Sequence, residues 1–112
     1  MDAAAALKRL EEVSSQVEAA VIFDRGGNVI GSTLADAPRA QRLARAAVAL
    51  LEEGDRRGES LAQLEVATPD GNVFLIAEQE RAIGATTAPE PTVGLVFYDL
   101  KSCLRDLDRE AA

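Results

Sequence analysis

Arg39, Arg42 and Arg45 stand at three-residue steps and form the most conspicuous group in this sequence that could do chemistry. A guanidinium pairs bidentately with carboxylates or phosphates, and its stem packs against apolar surface, so Arg is enriched at protein interfaces. An ordinary solvated helix face is the other reading of the same ridge. The remaining candidates carry less. Glu11-Glu12 and Glu52-Glu53 are paired carboxylates on helix surfaces, without the burial that would split their pKa values for acid–base work. Cys103 is the single cysteine and falls on an apolar helical stripe, where a thiol serves as a small hydrophobe. Gly26, Gly27 and Gly31 miss the Gly-x-Gly-x-x-Gly spacing and lead into a strand, so they belong to a hairpin. Asp70-Gly71-Asn72 lacks the spaced ligands of a calcium loop and reads as a turn. No P-loop motif occurs, and there is no histidine. These absences exclude a Ser-His-Asp or Cys-His triad, a His- or Cys-rich zinc site and a disulfide framework. The expectation is a non-catalytic protein with no cofactor and no metal.

Composition bounds the partners. The 112 residues suffice for one domain, expected to span 1–112. Twelve basic and nineteen acidic residues give a net charge of −7, a field that repels phosphate backbones and anionic lipid. No nucleic-acid partner is expected. The first residues have no basic n-region, and no apolar run is long enough for a membrane span, so no membrane insertion and a cytoplasmic location are expected. Ala occurs 21 times and aromatics make up 4%, so close approach of helix to sheet must do much of the packing.

The apolar periods then divide the chain. Residues 2–16 predict a helix capped by Asp2, with Ala3, Ala6, Leu7, Leu10, Val13 and Val17 as its stripe. Strands at 19–24 and 29–33 flank Gly26-Gly27, both free to take positive φ. A second helix opens at Asp36-Ala37-Pro38 and ends at Gly54, with Leu43, Ala44, Ala47, Leu50 and Leu51 on one stripe. Residues 61–87 predict a three-strand meander with turns at Pro69-Asp70-Gly71 and Gln79-Glu80. Residues 93–98 have a strand-like composition, but the longer window keeps a helical step and favours a helix from 92 to 110. The prediction is a single α+β domain in the order α-β-β-α-β-β-β-α. Its sheet has five mostly antiparallel strands, with helices on both faces.

This order resembles the Roadblock family, which includes Roadblock-type dynein light chains and bacterial MglB-like regulators. The resemblance rests on Val21-Ile22-Phe23-Asp24-Arg25-Gly26-Gly27-Asn28-Val29-Ile30-Gly31-Ser32-Thr33, the opening hairpin, and on Ala82-Ile83-Gly84-Ala85-Thr86-Thr87 through Thr92-Val93-Gly94-Leu95-Val96, a last strand, a short turn and a helix opening with Gly-Leu. It implies a homodimer in which the strand after the second helix joins its copy and the second helices lie side by side. The interface residues it implies are Leu43, Ala47 and Leu50 on the helix, and Ala62, Leu64 and Val66 on the strand. An exposed strand edge invites such pairing, although Glu65 would then approach its own copy. The resemblance further implies a small Ras-like GTPase as partner, with Arg39, Arg42 and Arg45 as candidate contacts and modulation of hydrolysis as a possible consequence.

Two other classes compete. A small PAS- or profilin-like sensory domain would hold a metabolite between sheet and helix, in an apolar pocket with polar anchors. The small residues at 82–87 favour close packing instead. A phosphorylated antagonist domain would need a serine before a helix, whereas Ser32 ends a strand and Ser60 precedes one.

Overall fold

The computed structural model describes residues 2–58 and 62–108. Helix α1 (Ala3–Val13) is followed by strands β1 (Val17–Asp24) and β2 (Val29–Ser32), and helix α2 (Ala37–Arg56) by strands β3 (Gln63–Thr68), β4 (Gly71–Glu78) and β5 (Arg81–Thr87). Helix α3 (Val93–Asp108) closes the order expected from the sequence. The strands form one sheet in the order β2-β1-β5-β4-β3, and every neighbouring pair is antiparallel.

Central strands apolar on both faces need cover on both, and they have it. Ala20, Ile22, Phe74, Ile76 and Ile83 pack under α1 (Leu7, Leu10) and α3 (Val96, Leu100, Leu104). Val21, Phe23, Leu75 and Ala82 pack under α2 through Ala40, Ala44, Ala47, Val48 and Leu51. Small residues set the spacing: a Cβ on Gly31 would come within 2.8 Å of the Ala3 Cβ, so α1 rests directly on β2.

Both predicted caps form. The Asp2 carboxylate accepts from the Ala5 N–H at 2.8 Å, and the Asp36 carboxylate from the Arg39 N–H at 3.2 Å. Two helix ends and one turn differ from the sequence reading, each for a local reason. Helix α1 stops at Val13, and Val17 belongs to β1. Ser14 makes the break: its N–H still donates to the Leu10 carbonyl, while its hydroxyl accepts from the Gln16 and Val17 N–H groups. Val13 is thereby left 60% exposed. Helix α2 runs through Gly54 to Arg56. Glu53 pairs with Arg56 and Arg57 one turn on, which ties the last turn together, and the left-handed residue that ends the segment is Gly58, at φ +76°. In the β1–β2 turn only Gly27 takes positive φ, at +85°. Asp24 shapes that turn by accepting from the Gly26 and Asn28 N–H groups at 2.9 and 3.0 Å. These bonds, led by the Asn28 N–H and then its side-chain amide, hold the Asp24 carboxyl below its ordinary pKa. The predicted ends of the third strand at Leu61 and of the last helix at Glu110 lie outside the described residues.

Candidate functional site

The third helix-to-sheet feature is not a core but an opening in one. Strand β3 is the last in the sheet and pairs only with β4, so its outer edge carries no partner strand among the described residues. Its register sets Leu64 opposite Leu75 and Val66 opposite Val73, all on the α2 side. Helix α2 covers the centre of the sheet and stops short of this edge. Leu43, Ala46, Ala47 and Leu50 on its flank, with Leu64, Val66, Val73 and Leu75 on the strands, therefore line a groove of about 280 Å³. Its walls are almost wholly apolar. Leu50 is 48% exposed and Val66 43%. Pockets for small ligands carry a few converging polar groups, and this groove offers none, which favours an apolar protein surface as its occupant.

The residues singled out from the sequence divide accordingly. Leu43, Ala47, Leu50, Leu64 and Val66 line the groove, whereas exposed Ala62 precedes β3 and uses its carbonyl to accept from the Ala77 N–H at 2.9 Å. Leu50 leaves the core stripe to which its spacing assigned it, whereas half-buried Leu43 both packs against the core and lines the groove. Val73 and Leu75 join from β4, and only strand register could have placed them there. Glu65 points to the opposite face, toward α1 and α3, where its carboxylate accepts from the Asn72 side-chain amide at 2.6 Å.

The basic ridge opens out. Three-residue steps on an α-helix drift by about 60° each, so Arg39 and Arg45 diverge by roughly 120°. Arg39 stays on the line of Leu43 and Leu50, while the Arg45 stem lies against the β1–β2 turn, its Cγ 3.8 Å from where a Cβ on Gly27 would sit. All three are exposed, and no ion pair involving them occurs among the described residues.

A second, polar groove of about 310 Å³ separates α1 from α3 and contains the cysteine. Cys103 is 3% exposed, and its Sγ lies 3.5 Å from the Ala6 carbonyl oxygen. Burial, then the charge of Asp106, pushes the thiol up to about 12. Asp106 lies 3.8 Å from the Arg9 Nε. Burial raises the Asp99 carboxyl, against the opposing hydrogen bond from the Ser14 hydroxyl. A folded-state value above the unfolded one means that the Asp99 charge opposes folding once the pH exceeds the carboxylate range, and not below it. Asp99→Asn is therefore expected to raise the melting temperature near neutral pH, with the gain fading as pH falls toward 3.8 and absent below it. Thermal melts across pH check this; a gain independent of pH, or a loss at neutral pH, contradicts it. Among the described residues no cluster of three or more His, Cys, Asp or Glu side chains could hold a metal, and no helix is long and apolar enough to cross a membrane.

No protein-family model matches this sequence, and no curated protein matches it. The fold does have counterparts. The chain superposes on a Roadblock/LC7 domain from Streptomyces avermitilis with a TM-score of 0.80 at 16% identity, covering 93% of this chain and 92% of that one. It is similar to the gliding protein MglB from Thermus thermophilus, with a TM-score of 0.78 at 16% identity over 98% and 90% of the two chains. An MglB solved in a tetrameric arrangement gives 0.73 at 17% identity over 96% and 85%. The fold is that of the Roadblock/LC7 domains.

Proposed function

We propose that this chain is a non-catalytic regulator or adaptor that pairs with itself and binds a small Ras-like GTPase. The observation that carries the reading is the apolar groove beside an unpartnered strand edge, on a fold shared with MglB. A second copy related by a two-fold axis gives β3 a partner strand and covers Leu43, Leu50, Leu64 and Val66 with the same residues of the other chain. The tetrameric arrangement of a structurally similar MglB supports self-association as a use of this fold. The buried thiol supports a non-catalytic role, and the likeness to gliding proteins supports a GTPase system.

In this reading the exposed cations Arg39, Arg42 and Arg45, which suit an acidic or phosphate-bearing surface, are the candidates from which the GTPase contacts come. The test is a pull-down from native lysate with tagged protein, in GDP and in a non-hydrolysable GTP analogue, read by mass spectrometry. A small GTPase retained in one nucleotide state is the expected result, and a turnover assay with that GTPase then reads any stimulation of hydrolysis. Eluates without a nucleotide-dependent GTPase overturn the GTPase part and leave a self-pairing scaffold.

A further inference from the structure

The groove-side flank of α2 carries a charge pattern that is complementary to itself when reversed. Along that line, from the N-cap Asp36 to the C-cap Arg57, helical spacing sets Arg39, then Leu43, Ala46, Ala47 and Leu50 of the groove wall, then Glu53. The pairs Asp36–Arg57, Arg39–Glu53 and Leu43–Leu50 all share one midpoint, at residue 46 or between 46 and 47. A two-fold axis through that midpoint sets two α2 helices antiparallel, places apolar on apolar, and brings each end charge opposite its counter-charge. A parallel pairing sets like on like.

We infer that, in the pair proposed above, Arg39 facing Glu53 of the second copy sets the register and the choice of self over other partners. The inference rests on the pairing proposed above and names what specifies it. Arg39 lies about 10 Å along the helix axis from the midpoint, by helical rise. Helices packed 8–10 Å apart at a shallow angle leave Arg and Glu within mutual reach, as flanking charges do in coiled coils. Arg39 is exposed and has no ion-pair partner among the described residues. Glu53 accepts from Arg56 and Arg57 of its own chain through separate carboxylate oxygens, the Arg57 Nε at 3.0 Å, and each oxygen keeps a further lone pair for Arg39 of the second copy. Arg39 thereby leaves the set of GTPase contacts, in which Arg42 and Arg45 remain.

The test uses two single charge reversals, Arg39→Glu and Glu53→Arg, with Lys8→Glu and Glu11→Arg on distant α1 as the respective controls for net charge. In each reversed homodimer two attractions become two repulsions, and the dissociation constant is expected to rise about tenfold over its control. Mixing the two variants restores both opposite-charge pairs in one dimer. Native mass spectrometry of the equimolar mixture is therefore expected to show the mixed dimer in excess over the statistical proportion. Statistical mixing, or affinities equal to the controls, overturns the inference while leaving a dimeric parent protein intact. A monomeric parent at micromolar concentration overturns the pairing itself, and this inference with it.

Discussion

Leu50→Asp is expected to convert the paired protein into a folded monomer. Leu50 is half exposed in the single chain and sits in the middle of the groove, so its substitution touches little that holds the monomer together. Its cost to folding should stay within about 0.5 kcal/mol, as for other surface positions. In the pair the same side chain is buried, and the two-fold axis counts it twice. About half of each leucine is exposed in the single chain, so losing its transfer forfeits about 0.7–1.5 kcal/mol, and a carboxylate in an apolar seam adds a desolvation cost. The dissociation constant should therefore rise at least about a hundredfold, which is roughly 2.7 kcal/mol. Sedimentation velocity reads the mass and a thermal melt reads the fold. A variant that still pairs at micromolar concentration places the interface elsewhere; one that unfolds shows that the groove is part of the monomer core.

The largest loss of stability is expected at Phe74. This ring is fully buried on the α1–α3 side of β4 and meets Phe97 edge to face, with centroids 5.0 Å apart at 78°. The sheet beneath and the two helices above are each held by several other contacts, so the site cannot collapse around a smaller side chain. Phe74→Ala should cost about 3–5 kcal/mol, the range for buried aromatic truncations. Against the ~5–15 kcal/mol of a whole domain, that is about a fifth of the total or more. Urea denaturation in the Leu50→Asp background measures it without the concentration dependence that pairing adds. A loss under about 1 kcal/mol would mean that this face is loosely packed.

The elements and their order were legible because local signals agreed with long-range ones. Asp2 and Asp36 cap helices, Gly27 turns a hairpin, and the helical step from Val93 to Leu107 outweighs a strand-like start. Boundaries were less legible where one side chain redirects the backbone. Ser14 hands its neighbours' N–H groups from helix to turn, and Glu53 carries α2 past Gly54. The groove was legible only in part. Periodicity assigns Leu43 and Leu50 to the same stripe as Leu51, because it cannot tell which sector of the apolar arc a sheet will fill. Strand order decides that β3 is an edge, and register decides that Val73 and Leu75 complete the wall. The basic ridge looked like one line in sequence, yet helical drift sends Arg45 to the β1–β2 turn and leaves Arg39 beside the groove.

The account stands most directly on what covers that groove. The decisive measurement is the solution mass of the unmodified protein by light scattering from sub-micromolar to hundred-micromolar concentration. Pairing through α2 and β3 predicts a species of twice 11.9 kDa that holds through the micromolar range and gives way to 11.9 kDa on Leu50→Asp. A constant 11.9 kDa at every concentration would contradict it, leaving the groove without a second copy to fill it.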